Sequence, residues 1–156
     1  MIQSEYESIV RECAKWYPKR KREHCVQVET YVIEDPMFFI LSEDQQWFVR
    51  ALAYAHDVIE DTDCPMDTIL QYIGCSHESY ERLDFETDLL LLTHTKDITY
   101  YDYVKTLVES RRMLAIMVKR ADMKDHLIRK KTLTPKLRAK YEPVLPMLFY
   151  PHGVLR

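Results

Sequence analysis

The chain has 156 residues, of which 47% are hydrophobic, and it carries a formal net charge of −3 at pH 7. This length suits one compact domain, and apolar residues spread along the whole chain exclude extensive disorder. With only two glycines, the sequence contains no Walker or dinucleotide-binding glycine pattern. A mildly acidic chain also lacks the basic surface that non-specific duplex binding requires, so we expect no nucleic-acid partner.

The cysteines and the apolar runs predict a soluble protein of the cytoplasm. None of the four cysteines belongs to a C-x-x-C pair, and the first residues show no secretory-signal pattern, so we expect a reducing compartment. The longest apolar runs, such as "MLAIMV", are far too short to span a bilayer, and we expect no membrane partner. The sequence leaves the oligomeric state open.

The first part of the chain has helical periodicity around two histidines. Apolar residues follow His24 at plus four, seven and eight. Ser42-Glu43-Asp44-Gln45 has the pattern of a capping box that opens a helix. Apolar residues then keep the helical period from Trp47 to Ala55, and His56 continues their stripe. Both histidines are therefore expected on faces that point inward.

The remainder of the chain also favours helices. Pro65 suits the first turn of a short helix that Gly74 ends. The best strand signal, "ITYYDYV" at 98–104, reads equally well as the start of a helix. Thr134 followed by a proline predicts another capped helix, which the prolines at 143 and 146 should end or kink. We therefore predict a single all-α domain, a compact helical bundle over residues 1–156.

An acidic stretch, "YAHDVIEDTD" at 54–63, follows the apolar helix that leads to His56. Carboxylates next to an apolar stripe need a cation, because burying them without partners is expensive. His56 and Asp57 could offer a nitrogen and an oxygen to a metal ion. If the helical turn continues, Glu60 and Asp61 return to the same sides. Such clusters are also common as helix caps or solvated loops.

Two distant residues could complete a metal site. His24 lies on a helical face well upstream, and Asp122 follows the apolar run of a segment, 111–130, that then turns polar. A set of two histidines and two carboxylates leaves open positions and suits Mn, Fe, Co, Ni or Zn better than Ca. A metal of this kind can lower the pKa of bound water and generate a nucleophile near neutral pH.

The ordered set of His24, His56-Asp57 and Asp122 resembles the H…HD…D signature of the HD-domain metal-dependent phosphohydrolases. More closely, "HDVIEDT" resembles the HDxxEDT motif of the guanosine polyphosphate hydrolases of the RelA/SpoT type and their small stand-alone relatives. "VKRADMKDHL", "LLTHTKDITYYDYVKTL" and "LTPKLRAKYEPVLPML" are similar to further segments of that group. The likeness spans roughly residues 20 to 150.

The resemblance implies an all-α HD-domain bundle and a hydrolytic active site. It implies that the metal ligands are His24, His56, Asp57 and Asp122, with Mn²⁺ as the usual ion. Glu60 and Asp61 would be the catalytic pair that orients the attacking water and passes protons. The implied reaction is hydrolysis of a phosphoester in a small-molecule nucleotide, such as release of pyrophosphate from the 3′ side of a guanosine polyphosphate. The resemblance does not include the synthetase domain of long family members, so we expect no synthesis of the alarmone.

Four further residues are candidates for substrate binding. Lys119 could meet a substrate phosphate or pair with a carboxylate. Tyr100 and Tyr103 could close over a nucleotide or simply pack. His126 stands where the family has asparagine, one turn beyond Asp122, and could be an extra ligand, a proton donor or a phosphate contact.

Two other features border the motifs. The basic run Lys19–Arg22 lies one turn before His24 and could draw an anionic nucleotide toward the metal. Thr93 and His94 end an apolar segment, and we expect them to be a capping pair that faces solvent in preference to a pocket role.

Two alternatives to guanosine polyphosphate hydrolysis remain open. The same site could serve a nucleotidase that acts on deoxynucleotides or on another small phosphoester. The chain could instead be a nucleotide-sensing module without catalysis, although Glu60 and Asp61 would then have no evident use.

Overall fold

The structure is a computed structural model that describes residues 1–74, 81–129 and 131–149. Within these ranges the regular structure is helical and contains no strand, which confirms the predicted all-α class. The helices, in chain order, are α1 (Gln3–Trp16), α2 (Lys19–Glu34), α3 (Glu43–Ala55), α4 (Val58–Asp61), α5 (Met66–Leu70), α6 (Glu81–Leu91), α7 (Tyr100–Glu109), α8 (Met113–Ile128), α9 (Pro135–Tyr141) and α10 (Leu145–Phe149). Two short 3₁₀ turns occupy Phe38–Ile40 and Glu142–Val144. Cys75 lies outside the described ranges.

α3 is the central helix of the main hydrophobic core. α1 and α2 both pack against it, and α2 also packs against α8. Val28 of α2, Leu52 of α3 and Met117 of α8 are completely buried in this region. Burying each side chain of this kind contributes about 1.5–3 kcal/mol to folding. The helices that carry the candidate metal ligands are therefore fixed to one another by the core.

The predicted capping box opens α3. The Ser42 hydroxyl oxygen accepts from the backbone N–H of Gln45 at 3.2 Å, and Gln45 Oε1 accepts from the Ser42 backbone N–H at 3.1 Å. At the other end His56 is the C-cap of α3, and Asp57 is the N-cap of α4. The Asp61 backbone N–H donates to the Asp57 carbonyl at 2.9 Å, so the acidic stretch forms one helical turn.

A second, smaller hydrophobic cluster joins α7 and the far end of α8 to the C-terminal helices. The 98–104 segment contains the start of α7 and is helical from Tyr100 onward. Thr99 caps this helix, because its Oγ1 accepts from the Asp102 backbone N–H at 3.1 Å. Thr134 caps α9 in the same way, with its hydroxyl 3.2 Å from the Leu137 backbone nitrogen. The chain leaves α9 at Tyr141, and the next residues include both prolines, as predicted.

The short helix after Pro65 differs from the sequence prediction at its end. α5 stops at Leu70, and the following backbone N–H groups of Tyr72 and Ile73 bond three residues back in tighter turns. Gly74 is not a cap of this helix, since its backbone N–H donates to the Glu5 carboxylate of α1.

Across the described ranges, no helix is both long enough and apolar enough to cross a membrane.

Candidate metal centre

Three buried atoms from three different helices face one another between the two hydrophobic clusters. His24 Nε2 of α2 lies 3.1 Å from Asp122 Oδ1 of α8, and His56 Nε2 at the end of α3 lies 3.6 Å from the same oxygen. None of these three atoms has a hydrogen-bond partner among the described residues. Buried polar atoms are almost always satisfied in folded proteins, so these three atoms form a group that could hold a metal ion.

The other ring nitrogens fix the orientation of both imidazoles. His24 Nδ1 lies 2.6 Å from Asp125 Oδ2, and His56 Nδ1 lies 2.7 Å from the Ala53 carbonyl oxygen. A carboxylate and a carbonyl can only accept, so Nδ1 donates its proton in each ring. In the neutral imidazole the Nε2 lone pair is then directed at the shared point, which is the arrangement of a metal-ligating histidine.

Asp57 is the fourth predicted ligand and lies beside the three unpartnered atoms. Its Oδ1 is 3.3 Å from His56 Nε2, and its Oδ2 is 3.6 Å from His24 Nε2. The structure therefore brings together His24, His56, Asp57 and Asp122, although they come from sequence positions about a hundred residues apart.

The electrostatics of the centre keep both carboxylates ionised. Burial alone would raise the pKa of Asp122, but the charge of Lys119 and contacts with the histidines lower it well below its ordinary value. Burial would also raise the pKa of Asp57, but the charge of His56 and its hydrogen bond lower the pKa of that carboxyl below its ordinary value. For His56 burial would lower the pKa, and the two carboxylates raise it well above the usual value. In the metal-free centre the ionised carboxylates are thus balanced by Lys119, by Lys21 and by the proton that the raised pKa of His56 favours.

Lys119 contacts both Asp122 and the two candidate tyrosines. Lys119 Nζ donates to Asp122 Oδ2 at 2.8 Å and lies 5.3 and 5.1 Å from the ring centroids of Tyr100 and Tyr103. The Tyr103 hydroxyl donates to the Leu92 carbonyl at 2.7 Å. Of the two roles predicted for Lys119, the structure shows the pairing with a carboxylate, and Tyr103 packs in the interior.

His126 borders the centre, as its position one turn beyond Asp122 predicts. Its Nε2 lies 3.0 Å from Asp122 Oδ1, and its ring centroid is 4.9 Å from that of His24 and 5.3 Å from that of Tyr141. Unlike the two buried histidines, its side chain is 35% exposed. It therefore lies at the border between the candidate centre and the solvent-accessible space.

The catalytic candidates lie on the outer side of the centre. Asp61 Oδ2 accepts from Lys21 Nζ at 2.7 Å, and Glu60 Oε1 accepts from the backbone N–H of His94 at 2.6 Å. Burial raises the pKa of Glu60, and the neighbouring charges of Asp57 and Asp61 add to this rise, partly offset by the bond to His94. Glu60 is consequently a carboxylate whose proton affinity is raised at the edge of the centre.

His94 does not have the solvent-facing capping role expected from the sequence. Its ring stacks on Tyr103 with a centroid distance of 4.9 Å, and its backbone holds Glu60. Thr93 instead bonds back to the Leu89 carbonyl at 2.8 Å. The difference arises because α7 packs over this segment, which the local sequence pattern does not encode.

A cavity of about 810 Å³ opens beside the centre, between α2 and the ends of α8 and α9. His24 and His126 line it. The rest of its lining includes apolar residues, four basic residues and two acidic ones, namely Pro18, Ile128, Leu133, Leu137, Arg20, Lys21, Arg129, Lys131, Glu23 and Asp125. This volume lies in the range of small-molecule sites, and the excess of basic over acidic residues favours an anion.

Two positioning residues were not assigned from the sequence. Asp125 is fully buried and holds His24, and Arg129 Nε donates to both Asp125 oxygens at 2.9 and 2.8 Å. Lys21 Nζ donates to Asp57 Oδ2 at 2.8 Å in addition to its bond with Asp61. Asp125 could have been found from its spacing, since it shares a helix face with Asp122. No local signal distinguishes Lys21 from the other members of its basic run.

Comparison of the chain with models of known families, with curated proteins and with solved structures found no match.

Proposed function

We propose that this protein is a metal-dependent phosphohydrolase of the HD-domain class that acts on a nucleotide, with guanosine polyphosphate as the first substrate. The observation that carries the proposal is the convergence of His24 Nε2, His56 Nε2 and Asp122 Oδ1, which are buried and without hydrogen-bond partners among the described residues. Acceptor atoms that face one another repel unless a cation lies between them. The H…HD…D order of these residues in the sequence resembles that of HD-domain hydrolases and supports hydrolysis of a phosphoester as the reaction.

The residues present fit a divalent transition metal. His24, His56, Asp57 and Asp122 would hold it, and two nitrogen with two oxygen donors suit Mn²⁺, Fe, Co, Ni or Zn. A bound ion of this kind lowers the pKa of a water molecule and so supplies a nucleophile near neutral pH. Asp125 and the Ala53 carbonyl keep both imidazoles in the tautomer that can ligate.

The acidic pair at the edge of the centre supplies the proton chemistry of the proposal. Glu60 is anchored by the His94 backbone, and its raised pKa brings it closer to the value at which a carboxyl can accept and return a proton. Asp61 is held by Lys21. We infer that Glu60 is the general base and that Asp61 orients it and the substrate.

The cavity supports a nucleotide as substrate. Its apolar wall offers contacts for a base and sugar, and Arg20, Lys21 and Lys131 provide positive charge for phosphates, whereas Arg129 balances Asp125. His126 and Tyr141 present rings between this space and the metal centre. We further propose that the protein works in the cytoplasm, because the three cysteines in the described ranges are free, buried thiols.

The proposal is tested by hydrolysis assays with Mn²⁺ on guanosine tetraphosphate and on a panel of ribonucleotides and deoxynucleotides. We expect pyrophosphate release from the guanosine polyphosphate that is lost in Asp57→Asn and kept in Asp63→Asn, a neighbouring exposed carboxylate. Cleavage of another nucleotide alone would replace the substrate and keep the mechanism. Metal binding without turnover of any nucleotide would contradict the enzymatic proposal and favour a sensing module.

A further inference from the structure

A second group of potential metal ligands adjoins the first. Oxygens of Asp57, Glu60 and Asp61 lie within 4.8 Å of one another. The ammonium of Lys21 already occupies part of this group, with Nζ 2.8 Å from Asp57 Oδ2 and 2.7 Å from Asp61 Oδ2. The side chains of Lys21 and Asp57 are only 25% and 13% exposed, so the contact between them is sheltered, whereas the Asp61 side chain is 37% exposed.

Asp57 connects the two groups. Its Oδ1 faces His56 Nε2 at 3.3 Å, and its Oδ2 faces Lys21 Nζ. In hydrolases with two metal ions, the ions lie about 3.5–4 Å apart and together neutralise the attacking and leaving oxygens. A carboxylate with one oxygen at each cation is the natural link between two such ions. The Lys21 ammonium thus stands on the side of Asp57 where a second cation would be.

The ammonium of Lys21 is held by two carboxylate oxygens, one from Asp57 and one from Asp61. A divalent ion that entered this position would have to displace a paired ammonium and would also meet its repulsion at short range.

We propose that Lys21 takes the place of a second metal ion, limits the centre to one ion, and supplies a fixed positive charge to the phosphate of the substrate. This inference rests on the metal centre of the proposed function and specifies its nuclearity. Lys21 also lines the cavity, so the side chain that neutralises Asp57 and Asp61 borders the space where a phosphate would lie. Lys21 is a specificity-determining residue for the metal content of the centre.

The test measures the number of Mn²⁺ ions bound per chain by calorimetric titration and elemental analysis. Wild type is expected to bind one, and Lys21→Ala is expected to bind two, because the freed oxygens of Asp57, Glu60 and Asp61 can then accept a cation. Lys21→Arg keeps the charge and should stay at one. Lys19→Ala, two residues away on the exposed side of α2, is the matched control and should also stay at one.

Electron paramagnetic resonance provides a readout that a structural effect alone would not change. Lys21→Ala loaded with Mn²⁺ should show the spin-coupled spectrum of a metal pair, whereas wild type should show that of an isolated ion. Lys21→Gln repeats the test if the alanine variant does not fold. Two ions in wild type, or one ion in both uncharged variants, would overturn the role of Lys21 and leave the proposed hydrolase standing. No Mn²⁺ in wild type would overturn both.

Discussion

The Nε2 atoms of His24 and His56 point at one oxygen of Asp122, and this arrangement is unfavourable unless a cation lies between them. Each ring is held in this orientation by an acceptor at Nδ1, so neither can turn its N–H toward Asp122 without losing a hydrogen bond. A protonated His56 would relieve the contact in the metal-free protein, in line with its raised pKa. The residues are therefore arranged for a positive charge, and the divalent metal that we propose would satisfy all of them together.

Replacing Glu60 by glutamine should separate catalysis from metal binding. Glutamine keeps the size of the side chain and removes the proton acceptor, so we expect turnover to fall by about 10²–10⁴-fold with the fold and Mn²⁺ affinity unchanged. Asp63→Asn, an exposed neighbour in the same acidic stretch, is the control. Steady-state kinetics and calorimetric Mn²⁺ titration measure the two effects. Full activity in Glu60→Gln would refute its role as general base.

Replacing Asp125 by asparagine should lower the affinity for the metal ion without removing a ligand. The neutral amide holds the His24 Nδ1–H less strongly and no longer raises the basicity of Nε2. Loss of such a partner typically costs about 10–100-fold in metal affinity. Glu23→Gln, an exposed carboxylate beside His24, serves as the control. An Mn²⁺ dissociation constant equal to that of wild type would show that Asp125 does not support His24.

Local sequence predicts some, but not all, of the positions at which the helices place side chains in the site. The capping box at Ser42–Gln45 and the apolar stripe of α3 place His56 at the helix end, and both are readable because they involve neighbours along the chain. Lys21 and His94 are different cases. Lys21 meets Asp57 across 36 residues, and His94 meets Glu60 across 34. Such contacts depend on how α2 and α7 pack, so spacing alone could not reveal them.

α8 carries a buried cation that joins it to α7. Lys119 Nζ is paired with Asp122 and covered by two tyrosine rings of α7. Lys119→Met retains most of the apolar contact and leaves Asp122 buried without its cation. Removing one partner of a buried ion pair costs about 3–5 kcal/mol, so we expect a fall of that size in the free energy of unfolding of the metal-free protein.

Lys105→Met is the matched control for this prediction. Lys105 lies on the exposed side of α7, 3.9 Å from Glu109, and loss of an exposed pair costs less than about 1 kcal/mol. Urea denaturation of both variants gives the comparison. Equal stability of the two variants would mean that the Lys119–Asp122 pair contributes little to folding.

For the whole molecule, the charged centre between two hydrophobic clusters predicts a particular dependence of stability on pH. The pKa values of Asp57 and Asp122 are lowered in the folded state, so their stabilisation is present above the unfolded value of about 3.9 and is lost as pH falls below it. The pKa of His56 is raised, so its stabilisation is present below about 6.5 and is lost as pH rises.

The metal-free protein should therefore be most stable between about pH 4 and pH 6.5. Metal binding requires neutral imidazoles and releases protons, so Mn²⁺ should move the maximum to higher pH. Thermal unfolding across this range, with Mn²⁺ and with a chelator, measures both curves. Identical pH optima in the two conditions would contradict the assignment of His56 as a ligand.

The position of the bound metal ion is the most direct test of the proposed metal centre. Crystals grown with Mn²⁺ and measured on both sides of the manganese absorption edge would locate it by anomalous scattering. We predict one anomalous peak between His24 Nε2, His56 Nε2 and Asp122 Oδ1, with Asp57 as a further ligand and with Lys21 still paired to Asp61. The absence of a peak among these residues at saturating Mn²⁺, or a peak only elsewhere on the protein, would contradict the metal centre and with it the proposed hydrolase.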